Sequence, residues 1–102
     1  LASFDVPELI RKVEVTPRTV ELLAEAAARS QGVRRAAVLD ELAMTARPEA
    51  VGVVATHLAD PSPLVREAAV RAIGQLGVDA AVVERLRLLS ADDDPRVRAA
   101  FA

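Results

Sequence analysis

Asp60-Pro61-Ser62-Pro63-Leu64-Val65-Arg66-Glu67-Ala68-Ala69, running on to Ala72-Ile73-Gly74-Gln75-Leu76-Gly77, is the stretch on which the fold turns. Ser62 followed by Pro63 reads as an N-cap with proline in the first helical turn, where its missing N–H costs nothing. Val65, Ala68, Ala69, Ala72, Ile73 and Leu76 recur at helical spacing and make one apolar stripe. Gly77 supplies the stop. A second copy follows as Asp92-Asp93-Asp94-Pro95-Arg96-Val97-Arg98-Ala99-Ala100. The two match in type at Asp60 and Asp92, Pro63 and Pro95, Val65 and Val97, Arg66 and Arg98, every pair at the same spacing. A fixed period of this kind marks a helical repeat array.

The same period reaches back to Val33-Arg34: the interval from Arg34 to Arg66 equals that from Arg66 to Arg98, and Ala36 matches Ala68. In that copy Gln31 stands for the proline and Ala28 for the aspartate. Asp40 and Glu41 fall opposite the apolar Ala72 and Ile73, so this first unit is expected to slip by one residue along its first helix. Thr16-Pro17, Arg47-Pro48, Ser30 and Asp79 mark further helix starts. Helices are expected over 7–13, 17–28, 31–44, 48–58, 63–76, 80–90 and 95–102, and no strand. The second helix of each pair carries its own stripe: Val20, Leu23, Ala24 and Ala27; then Val51, Val54, Ala55 and Leu58; then Val82, Leu86 and Leu89.

Composition narrows the function classes. The chain of 102 residues is 52% hydrophobic and 2% aromatic, so Ala, Val and Leu must build the core and little is left to stack on bases. Its net charge of −2 gives no cationic surplus for phosphates, which argues against a nucleic-acid partner. Without cysteine there is no disulfide and no thiolate metal site. No apolar run is long enough for a membrane span, and no signal peptide is visible; a cytoplasmic setting is expected. The chain opens on Leu1 and stops at Ala102 within an expected helix, as a piece cut from a longer array would.

Asp-x-x-Pro-x-Val-Arg-x-Ala followed by an apolar helix resembles the HEAT repeat, above all its short bacterial form. The resemblance covers roughly residues 17–102. It implies an all-α, right-handed α-solenoid of stacked antiparallel helix pairs, divided as 1–15 (cap or partial repeat), 16–30 (half repeat), 31–59, 60–91, and 92–102 (truncated repeat). Each pair has a face that it buries only by stacking on the next. The resemblance further implies that first helices line the convex side and second helices the concave side. It also implies that Arg34, Asp60, Arg66, Asp92 and Arg98 form a structural ladder at the inter-repeat turns.

No catalytic constellation emerges. Asp92-Asp93-Asp94 resembles a cation cluster, but lacks the glycine and distal glutamate of a calcium loop; it reads instead as a ladder residue, a solvated residue and an N-cap. His57 is the single histidine, expected on an exposed helix face and unaccompanied by a nucleophile. Ser30 and Ser62 sit where caps belong, with no nucleophile-elbow sequence around them. No glycine-rich phosphate loop or dinucleotide fingerprint is present, so neither cofactor nor metal is expected.

What remains is a surface. Turning the second helices away from their stripes brings out Glu21, Leu22 and Glu25; Val53, Thr56 and His57; and Glu84, Arg87 and Leu88. Apolar residues on a polar concave face suit a protein or peptide partner. The expected function is a non-catalytic interaction scaffold, with weak self-association through open solenoid ends. Two other readings stand beside it. One is a structural spacer arm. The other is a bilin lyase, which some short HEAT proteins resemble and which the missing cysteine and scarce aromatics do not support.

Overall fold

The computed structural model describes residues 15–101. The expected helix over 7–13, and all of the expected 1–15 cap except Val15, lie outside the described residues. Six helices follow: α1 Pro17–Arg29, α2 Gly32–Met44, α3 Glu49–Ala55, α4 Pro63–Leu76, α5 Ala80–Leu89 and α6 Pro95–Ala99. The described residues contain no strand.

The sequence accounts for where the helices begin. Asp79 accepts a hydrogen bond from the Val82 amide at 3.0 Å, and Asp94 from the Arg96 amide at 2.9 Å. Each caps the helix that follows it. Pro17, Pro63 and Pro95 fill first-turn positions.

Helix ends share a different device. The hydroxyls of Ser30, Thr45, Thr56 and Ser90 each donate to the carbonyl three residues back, at 3.2, 2.6, 2.6 and 2.6 Å. Each of these last-turn carbonyls also takes the backbone amide of the same residue, at 3.2–3.3 Å, so the hydroxyl adds a second donor where the regular ladder runs out. Ser30 therefore closes α1; the N-cap of α2 is Gln31, whose side chain makes no cap bond. The segment after α3 winds on through i→i−3 bonds at Thr56, His57, Leu58 and Asp60. This tighter winding is why α3 ends at Ala55 and not at the expected residue 58.

First helices pack on first helices: α2 lies along α4, and α4 against α6. Among the second helices, α1 meets α3. The stack is elongated, 54 × 27 × 26 Å. One apolar core runs through it, with Leu39, Leu42, Val54, Val65 and Ile73 fully buried. All four of Val51, Val54, Ala55 and Leu58 are buried, whereas Leu86 and Leu89 of α5 are half-buried.

The repeat register departs from the later spacing at the start of α2. The step from Gly32 to Pro63, the first residues of α2 and α4, is one residue shorter than the step from Pro63 to Pro95. The start of α2 is thus shifted by one residue relative to α4, whereas the step between their last residues, Met44 and Leu76, is one longer than the step between their starts. Val33 and Arg34, the apparent match to Val65 and Arg66, are both exposed.

A candidate partner surface beside an arginine ladder

Two successive turns present the same polar unit. In the first, Asp60 Oδ1 accepts the Ser62 amide at 2.9 Å; in the second, Asp92 Oδ1 accepts the Asp94 amide, also at 2.9 Å. Each aspartate turns its carboxylate toward an arginine of the preceding repeat. Arg66 Nε and Nη2 donate to Asp92 Oδ2 and Oδ1 at 2.9 and 3.1 Å, a two-pronged grip. Its Nη1 donates to the carbonyls of Asp60 and Pro61 at 2.9 and 3.1 Å. Arg66 therefore clasps the turn before its own helix and the turn that opens the next.

Arg35 does the same one repeat earlier. Its Nη1 donates to Asp60 Oδ2, and its Nε to the Ala27 carbonyl at 2.8 Å. The arginine in this place is Arg35 and not Arg34. The step from Arg35 to Arg66 equals that from Gly32 to Pro63, in keeping with the one-residue shift at the start of α2. Arg98 Nη1 donates to the Asp92 carbonyl, the counterpart of the bond from Arg66 to Asp60.

The charges respond to these partners. Burial alone raises the Asp60 pKa, but the Ser62 amide and the Arg35 guanidinium outweigh it and hold the carboxyl below its ordinary value. Asp92 is lowered chiefly by its hydrogen bonds from Arg66 and from the Asp94 amide. Arg66 is correspondingly raised, by Asp92 first. His57 is half-buried in the turn after α3, not solvated on an open face. Burial lowers its pKa, and the positive charge of Arg35 adds to the effect.

The triple-aspartate run divides its labour. Asp92 is in the ladder, Asp94 caps α6, and the Asp93 side chain is 99% exposed, 3.8 Å from Arg66. Among the described residues no cluster of His, Asp or Glu is placed to hold a metal ion. Ser62 heads α4 with no side-chain cap bond.

The residues expected on the partner face are mostly open. Glu21, Leu22 and Glu25 of α1 are exposed, as are Thr56 after α3 and Glu84, Arg87 and Leu88 of α5; Val53 and His57 are half-buried. Leu22 is 50% and Leu88 77% exposed, high values for leucines in a chain this apolar. Glu21 is paired with Arg18 at 2.9 Å, and Glu84 lies 3.8 Å from Arg87. The Thr56 hydroxyl is engaged with the Val53 carbonyl.

Between α3 with its following turn and α5 is a cavity of about 530 Å³. Ala55, Leu58, Leu88 and Leu89 line it, with Arg66 and Arg85 also in its wall. No sequence pattern signals it, because it depends on how α5 lies beside α3. Arg85 belongs to it, although the residues of α5 expected on the surface from sequence are Glu84, Arg87 and Leu88.

No described helix is long and apolar enough to cross a membrane. No curated protein matches the chain. A family model of HEAT repeats matches residues 16–102, and such repeats generally mediate protein interactions. With helix pairs stacked first on first, aspartate turns clasped by arginines, and that match over most of its length, the chain belongs to the HEAT-repeat family.

Proposed function

We propose that the chain is a non-catalytic interaction scaffold that holds a protein or peptide partner on the concave face formed by α1, α3 and α5. The contact residues in this reading are Glu21, Leu22 and Glu25; Val53, Thr56 and His57; and Glu84, Arg87 and Leu88. The supporting observation is the exposure of Leu22 and Leu88 on two second helices, with half-buried Val53 on the helix between. Apolar side chains grouped on one otherwise polar face suit a surface that another protein covers. The net charge of −2 favours a protein over a nucleic acid. The repeat units 31–59 and 60–91 serve as the frame, and the Asp60, Arg66, Asp92 and Arg98 ladder keeps them in register. The cytoplasm is the setting in this reading.

The test is capture of partners from cells of the source organism, using the chain and the triple variant Leu22→Glu, Val53→Glu, Leu88→Glu. Circular dichroism checks that both are folded. A partner retained by the chain and lost by the variant supports the face. A partner held equally by both removes the site from these helices, and no partner at all favours a structural spacer.

A further inference from the structure

The cavity between α3 and α5 carries one cation with donors to spare. Of its two arginines, Arg66 is spent: Nε, Nη1 and Nη2 all bond to Asp92 and to the Asp60 and Pro61 carbonyls. Arg85 is exposed and reaches only the Ala55 carbonyl, at 3.4 Å, which is long for such a bond. A guanidinium has five N–H donors, and a planar fork suited to a carboxylate. Among the described residues, Arg85 pairs with no carboxylate; Glu84, its chain neighbour, faces Arg87 instead.

The rest of the wall is apolar save Thr56, whose hydroxyl donates to the Val53 carbonyl, and Leu88 carries the apolar surface from the cavity out into solvent. A small amphiphile could fill the cavity and touch the inner edge of Leu88, but would leave most of that side chain, 77% exposed, in water. A helix laid across the opening covers both, because side chains three and four positions apart share one face. Resting on the proposed partner face, we infer that this cavity is a socket for an acidic amphipathic helix of a partner protein. A leucine or phenylalanine enters between Leu58 and Leu89, a neighbouring apolar residue covers Leu88, and an aspartate or glutamate one turn away pairs with Arg85. Charge complementarity selects the acidic partner: among the described residues, the socket's one uncommitted ionic group is a cation.

A phage-displayed library of helical peptides, randomised on one face, is selected on the full chain and on the Arg85→Glu variant. The chain enriches peptides with Leu or Phe and an acid three or four residues away, and Arg85→Glu enriches a basic residue at that place. By fluorescence anisotropy, a selected acidic peptide binds Arg85→Glu about tenfold more weakly, and changing its acid to lysine restores binding. Ala59→Leu, at an exposed position lining the cavity, blocks entry while leaving Arg85 in place. Peptides with no acid preference, or binding unchanged in both variants, overturn the socket. So does decanoate held by the cavity when no peptide competes with it.

The double variant Leu22→Glu, Val53→Glu separates this inference from the wider reading. Binding lost there but kept in Arg85→Glu and Ala59→Leu leaves the face standing and removes the socket. Binding kept there and lost in Arg85→Glu keeps the socket and overturns the extended face.

Discussion

Arg66 and Asp92, far apart in the chain, meet through two hydrogen bonds, while the same guanidinium holds two carbonyls of the preceding turn. One side chain thus spans the boundary between two repeats. Lysine supplies the charge but not the fork. Arg66→Lys should therefore lower the melting temperature by roughly 5 °C or more. Thermal circular dichroism reads this, and an unchanged melt means that the clasp adds nothing.

The register makes a sharper pair. Arg35→Ala removes the bonds to Asp60 and to the Ala27 carbonyl, whereas Arg34 is exposed. Arg35→Ala should destabilise the fold by roughly 2 kcal/mol, because a buried carboxylate loses its partner; Arg34→Ala should stay within about 0.5 kcal/mol of the parent. Urea unfolding of the two variants decides between the registers, and equal effects would return Arg34 to the ladder.

Ile73 is fully buried at the centre of the stack. Ile73→Ala should cost about 2–5 kcal/mol, the transfer term plus the cavity left behind. A midpoint that does not move in urea would count against the packing of α4.

Backbone conformation yields a prediction in each direction. Ala46 and Gly77 occupy equivalent turns of successive repeats, and both have positive φ, 53° and 105°. An alanine there is strained, so Ala46→Gly should stabilise the fold by about 1 kcal/mol. Gly32 stands where the other repeats have Pro63 and Pro95, yet its φ is 54°, which proline cannot adopt. Restoring the repeat pattern with Gly32→Pro should lower the melting temperature rather than raise it.

Acid should weaken the fold in two stages. His57 has a folded-state pKa below its ordinary 6.5, so the unfolded chain takes up the proton first, and stability falls as the pH drops from 6.5 toward that lowered value. Asp60 and Asp92 are also lowered; their contribution is complete above the ordinary 3.8 and is lost as the pH falls below it, through their folded-state values. His57→Gln should flatten the first stage and leave the second. Chemical unfolding at a series of pH values checks it, and an unaltered first stage would acquit the histidine.

Much of this fold could be read from the chain. Helical periodicity identified the buried faces of α1, α3 and α4, and proline or aspartate marked the starts of α1, α4, α5 and α6. The first repeat misled because Arg34 and Arg35 are adjacent and its turn lacks both aspartate and proline; the start of α2 at Gly32 and the bonds of Arg35 to Asp60 and Ala27 tell them apart. Ser30 misled because a serine between two helices serves either end equally well, and here it bonds backward to Ala27. The proposed socket was beyond sequence reasoning altogether. Arg85 and Leu58 lie on different elements, and their shared cavity arises from relative placement, which no local pattern encodes.

The arginine clasps also bear on mechanics. They run along a single edge, at the turns leading into α2, α4 and α6, while away from that edge Arg71 of α4 meets Asp40 of α2 in a single exposed bond of 3.3 Å. A stack stitched this way is stiff along its spine and compliant opposite, as a bound book is. Tension applied along the array loads the stitched side first. Bending that opens the other side would strain the exposed Arg71–Asp40 pair, which is worth little, before it strained a clasp.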